Sequence, residues 1–177
     1  MPDATGTPRA MRLPLARSGL PWAGLALLAI LVDQLTKLWV VSALQLHEAR
    51  EWLPVLSILR AHNTGAAFSF LAGAGGWQRW LFTALALVVS CAILTWLRRL
   101  DGSQQRLLVV SLALILGGAL GNVIDRLRHG YVVDFVAVHW QEHYFPAFNV
   151  ADSCITVGAA LLLLDALLDS RRRHKDL

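Results

Sequence analysis

Two acids in this sequence stand where acids are costly. Asp134, in Val132-Val133-Asp134-Phe135, and Asp152, in Phe148-Asn149-Val150-Ala151-Asp152, are each flanked by apolar residues at the edge of a long apolar run. An ionised carboxylate is poorly solvated in such a place. Like charges held close together in low-dielectric surroundings cannot both ionise easily, so a pair of this kind shares one proton and leaves one member as base and the other as acid. That is equipment for activating a water against a peptide bond without a covalent intermediate. Which member starts with the proton is left open, because the pair titrates as a unit. Around the acids lie Asn122, Asp125 and Arg126, gathered within about one helical turn, and Asn149 just ahead of Asp152.

The elements that position these residues must cross a membrane. Of 177 residues, 56% are hydrophobic and only 16% charged, with a mean hydropathy of +0.52. An ordinary soluble chain carries about 25% charged residues. The length has room for about four spans of roughly 20 residues, hence one membrane-embedded domain over 20–170. The formal charge of +4 does not point to nucleic acid, because the basic residues flank apolar runs as topology signals.

Read in order, residues 1–19 form a basic tail, expected to be disordered and cytoplasmic, with Arg9, Arg12 and Arg17 ahead of the first apolar run. Spans are expected at about 20–41, 77–97, 107–124 and 149–168, and 171–177 is a second basic cytoplasmic tail. The first run exceeds a signal-peptide core of about 7–15 residues and is read as a retained helix. Within it Asp33 and Lys37 stand four residues apart, as a structural ion pair near the outer end or as a device orienting the site. From Ser42 onward, short apolar and polar alternation predicts a small sheet on the outer surface. Asn63-Thr64-Gly65-Ala66-Ala67-Phe68-Ser69-Phe70 follows, either a turn capping the next element or a substrate loop whose Gly65 admits a close backbone. Gly73–Gly76 is read as a flexible joint. In the third span Gly117 and Gly121 have the small-xxx-small spacing that lets another helix approach. Val132–Val138 is strand-like by composition.

Two motifs point elsewhere and are set aside. His139-Trp140-Gln141-Glu142-His143 matches an inverted zinc-peptidase pattern, but that pattern needs a helix, and the flanking Val136–Val138 and Tyr144-Phe145-Pro146 argue against one. Gly117–Gly121 lacks the βαβ setting of a dinucleotide fingerprint. Cys91 and Cys154 have no ligand spacing and are expected as small core residues. Neither a metal nor a cofactor is expected.

With these residues in view, the chain resembles the bacterial lipoprotein signal peptidases, also called signal peptidase II. The resemblance runs through Asp33–Lys37, Asn63–Phe68, Gly121–Arg126, Val133–Phe135 and Phe148–Asp152. It implies a four-helix membrane bundle with an outer β-sheet and a short loop or lid between the third and fourth spans. The implied activity is that of a monomeric inner-membrane aspartyl endopeptidase, among membrane lipids, with both termini cytoplasmic and the active site near the outer face. Its substrate would be a diacylglyceryl-modified prolipoprotein, cleaved just before the lipidated cysteine. By motif the catalytic pair falls on Asp134 and Asp152. Asn63, Gly65, Asn122, Arg126 and Asn149 would line the substrate site, and Asp33, Lys37 and Asp125 would support it. The main rival is a proton- or ion-coupled transporter, whose internal repeats or interrupted paired helices the sequence does not display. A helix-contact assembly protein leaves both acids unexplained, and a presenilin-like protease would need a Gly-x-Gly-Asp signature that is absent.

Overall fold

The computed structural model describes residues 14–65, 75–140 and 143–175. Helix α1 (Ala23–Ala43) leads to strands β1 (Ala49–Leu53) and β2 (Leu56–Asn63). Helices α2 (Trp77–Leu97) and α3 (Arg106–His129) follow, then β3 (Val132–Trp140), β4 (His143–Tyr144) and α4 (Val150–Lys175). All four helices are long and apolar enough to cross a membrane. The third and fourth run further than expected from hydropathy. Beyond Ile124, α3 continues through Asp125, which is buried and paired with Lys37, to the exposed Arg128 and His129, and α4 carries on through the basic cluster that was expected to be a tail.

Helix α3 is the axis of the bundle, and α1, α2 and α4 all pack on it. It is buried along most of its length, whereas the other three bury one stripe each. On α1 that stripe is Ala26, Ala29, Asp33, Lys37 and Val40, at the three- and four-residue spacing of one helix face. Its leucines face outward, as suits a hydrocarbon surrounding. The close fit on α3 follows from glycine. A Cβ on Gly117 would stand 2.8 Å from the Ala26 carbonyl oxygen of α1, one on Gly121 2.8 Å from Asp33 Oδ2, and one on Gly118 would collide with the Ala151 carbonyl of α4. The expected helix approach is therefore made, and on two sides of α3.

The strands form one antiparallel sheet in the order β1-β2-β3-β4. The stretch between α3 and α4 thus completes the sheet. Gly130 terminates α3 with φ 86°, a left-handed cap that suits glycine, and the chain turns directly into β3. The register pairs Ala61 with Asp134 and Asn63 with Val132, after a shift between Ile58 and Ala61. The Arg60 guanidinium donates to the carbonyls of Val41 and Leu44 at 3.3 and 3.2 Å, fastening β2 to the end of α1.

Some expectations change. Leu15–Arg17 and Leu20–Trp22 form short 3-10 turns, and the Gly19 amide donates to the carbonyls of Leu97 and Leu100. Residues 14–19 thus dock on the α2–α3 connection where a disordered tail was expected, and residues 1–13 of that tail lie outside the described residues. Cys91 is exposed on α2 and Cys154 is half-buried, so Cys91 is not a core residue; the apolar run that suggested it faces outward. His139 and His143 lie on adjacent strands, where Trp140 pairs with His143; Gln141 and Glu142 lie outside the described residues, as do Ala66–Phe70 and Gly73-Ala74 of the expected loop and joint.

Candidate active site

Asp134 and Asp152 reach one place by two routes. The segment before α4 pairs with β3: Phe135 and Val136 donate their amides to the Phe148 carbonyl at 3.0 and 2.8 Å, and Phe148 donates back to Val136 at 3.0 Å. This brings the start of α4 beside Asp134. Asn149 then joins the acids. Its Nδ2 donates to Asp134 Oδ1 at 2.7 Å, and its backbone amide donates to Asp152 Oδ2 at 3.3 Å. In return Asp152 donates its own amide to Asn149 Oδ1 at 2.9 Å. Asn149 and Asp152 therefore form the reciprocal pairing of a capping box at the N-terminus of α4. The same three-residue spacing that starts the helix aims the carboxylate.

The remaining acceptors are filled by amides. Asn63 Nδ2 donates to Asp134 Oδ2 at 2.9 Å, and Asn122 Nδ2 donates to Asp152 Oδ1 at 2.8 Å. Asn63 Oδ1 also accepts the Gly65 amide at 2.9 Å, so Asn63 closes a turn with one end and contacts the acid with the other. Arg126 donates through Nη2 to the Gly65 carbonyl at 3.0 Å and lies over the Phe82 ring at 5.5 Å.

Asp134 is 3% exposed and Asn149 fully buried. Burial above all, and next the neighbouring Asp152 carboxylate, push Asp134 from the usual 3.8 up to about 7, while the Asn63 and Asn149 amides pull the other way. Asp134 is thus a carboxyl able to hold its proton near neutral pH.

Asp33, Lys37 and Asp125 lie directly behind the acids. Lys37 Nζ sits 2.8 Å from Asp33 Oδ2 and 3.0 Å from Asp125 Oδ2. The ion pair expected within one helix thus extends to a second. Gln34 had been given no role from sequence. Its Nε2 donates to Asp125 Oδ1 at 2.9 Å, to Asp33 Oδ2 at 3.2 Å and to the Gly121 carbonyl at 3.3 Å. A polar amide inside an apolar span was the available signal. Phe82 gave no signal, since a phenylalanine in a span is ordinary.

In front of the acids opens a cleft of about 900 Å³ between α2, α3 and α4. Its walls are apolar, with Phe82, Leu85, Val89, Ile115 and Ile155 among them, and Asn63, Asn122, Arg126 and Asp152 line its polar part. Among the described residues no group of three or more His, Cys, Asp or Glu is placed to hold a metal.

A model of the signal peptidase (SPase) II family matches residues 25–168. The lipoprotein signal peptidase of Pseudomonas putida is 55% identical over 148 residues, covering 82% of this chain and 86% of its own. That of Shewanella pealeana is 51% identical over 158 residues, covering 89% and 92%. A bacterial membrane enzyme solved by the in meso method at 2.3 Å resolution superposes with a TM-score of 0.76 at 30% identity, over 85% of this chain and 89% of that one. Another, at 1.9 Å, gives 0.72 at 30% identity, over 83% and 92%. The four apolar helices, the small sheet and a sequence match spanning most of the chain agree: the chain belongs to the signal peptidase II family of membrane peptidases.

Proposed function

We propose that this chain is a membrane aspartyl endopeptidase that removes the signal peptide from diacylglyceryl-modified prolipoproteins, cutting before the lipidated cysteine, with Asp134 and Asp152 as its catalytic pair. The observation that carries this is the meeting of both carboxyl groups on Asn149, with Asp152 lining the polar part of an apolar cleft. Nothing in the family match or the structural neighbours favours the transporter alternative.

The environments of the acids divide the work. Asp152 lies in the first turn of α4, where helix N-terminal amides favour negative charge, and it takes the part of the base that draws a proton from water. Asp134, buried and pushed up to about 7, takes the part of the acid that donates to the scissile carbonyl oxygen. Addition of the hydroxide to the carbonyl carbon gives a tetrahedral diol; as it collapses, Asp152 passes the proton taken from water to the leaving nitrogen and Asp134 recovers its own from a diol hydroxyl, releasing the amine and the new carboxyl end. Asn63, Gly65, Asn122 and Arg126 hold the peptide backbone and the ester oxygens of the lipid, whereas Asn149, expected from sequence to line the substrate site, is fully buried and serves the two acids instead. The apolar walls receive the acyl chains, so lipid modification is selected by position and not by an enclosed pocket.

The basic clusters at Arg98-Arg99, Arg106 and Arg171-Arg172 support an inner-membrane orientation with both termini cytoplasmic and the sheet and acids near the outer face. One chain supplies the whole set of site residues, which supports a monomer. The test is cleavage of a synthetic prolipoprotein peptide, with and without the diacylglyceryl group, by detergent-purified protein and by its Asp134→Asn and Asp152→Asn forms. Cleavage of the lipidated peptide alone, lost in both variants and indifferent to chelator, is the expected result. Near-normal cleavage by either folded variant removes that aspartate from the pair, and chelator sensitivity returns attention to His139 and His143.

A further inference from the structure

We propose that Lys37 is a positioning residue: by tying together Asp33 and Asp125, each of which grips the backbone just before one of the two proposed catalytic aspartates, it fixes their separation. This rests on the aspartyl reading above.

The geometry is paired. Asp125 Oδ2 accepts the amide of Val133 at 3.1 Å, and the next residue is Asp134. Asp33 Oδ1 accepts the amide of Ala151 at 2.9 Å, and the next residue is Asp152. Lys37 Nζ stands between the two gripping carboxylates, 2.8 Å from Asp33 and 3.0 Å from Asp125. Without it, two buried carboxylates would face each other unpaired and repel. With it, any shift of β3 against α4 must break a charge-assisted hydrogen bond.

A third contact reaches the pair directly. Lys37 donates to Asn122 Oδ1 at 3.0 Å. An ammonium has three donors and no acceptor, so this contact fixes the amide with its oxygen inward, leaving Nδ2 to face Asp152 Oδ1 at 2.8 Å. All three ammonium protons thereby serve the site. A purely structural ion pair needs only the four-residue spacing of Asp33 and Lys37 on α1. It does not account for the second carboxylate from α3, or for both grips falling on the residue immediately before an acid. Lys37 is 3% exposed and is not among the residues lining the cleft, so it acts through its neighbours.

The experiment compares Lys37→Met with the triple variant Lys37→Met, Asp33→Asn, Asp125→Asn. The triple variant keeps an acceptor for each backbone amide but buries no unpaired charge. Amide hydrogen exchange is read at Val133 and Ala151 in the detergent-purified protein, alongside kcat and KM on the lipidated peptide. The expected result for Lys37→Met is faster exchange at both amides, neither of which Lys37 touches, with α3 core amides such as Val109 and Leu112 unchanged. A misplacement of about 1 Å lowers turnover roughly 100-fold, so kcat is expected to fall by that order while KM stays within about threefold. If Lys37→Met does not fold, the triple variant carries the test, with kcat expected to remain low in the folded protein. Wild-type kcat in the folded triple variant, or unchanged exchange at both amides, overturns the proposal. A wild-type protein that cleaves nothing refutes the proposed activity, while the exchange data still decide whether Lys37 holds the two segments.

Discussion

At the scale of single residues, the proton on Asp134 is the property most open to measurement. Its folded-state value is pushed from 3.8 up to about 7, so between roughly pH 4 and pH 7 the folded chain holds a proton that the unfolded chain has released. This group therefore favours folding at low pH, and its stabilisation is lost as pH rises through 7. Thermal unfolding in detergent is expected to show a midpoint that falls from pH 4 to pH 7 more steeply in the wild type than in Asp134→Asn, a difference on the order of 4 kcal/mol at most. The same ionisation should end catalysis. Turnover of the lipidated peptide is expected to decline above about pH 7 as Asp134 loses the proton it must donate. A rate that climbs steadily from pH 7 to pH 9 would give the acid's part to another group.

At the scale of elements, the site depends on how closely α1 and α4 approach α3. Gly118 admits the Ala151 backbone, and Gly121 admits the Asp33 carboxylate. Gly121→Ala must displace the end of a side chain that grips the Ala151 amide, at a cost of about 1–3 kcal/mol. Gly118→Ala must displace backbone, which has less freedom to give. The expected order of thermal midpoints is wild type, then Gly121→Ala, then Gly118→Ala, with activity lost in both variants before unfolding. Equal midpoints for all three would mean that α4 can move off α3 without consequence.

At the scale of the whole molecule, the segment ahead of α1 packs on the connection between α2 and α3. Ser18 is buried, and the Gly19 amide donates to the carbonyls of Leu97, the last residue of α2, and of Leu100 just beyond it. Deletion of residues 1–13 is expected to leave cleavage and thermal stability unchanged. Deletion of residues 1–19 removes that docking and is expected to lower the unfolding midpoint by several degrees, read by thermal unfolding of both truncated proteins in the same detergent. An equal midpoint for the two would make the Ser18–Gly19 contact dispensable.

The sequence alone determined the solvent and the chemistry. Long apolar runs bounded by arginines can be satisfied only by helices in a bilayer, and acids at the edges of such runs announce themselves because their placement is costly. Local signals also carried the start of the fourth span near Asn149, the closeness of helices at Gly117 and Gly121, and the strand character of Val132–Val138. Tertiary structure decided which polar groups meet. That Lys37 serves a carboxylate on α3 as well as its neighbour on α1, that Gln34 joins the same cluster, and that Asn63 reaches Asp134 from a strand 71 positions away depend on register and helix rotation. A single chain read residue by residue contains no distance between segments, and hydrogen bonds form only at distances the fold sets.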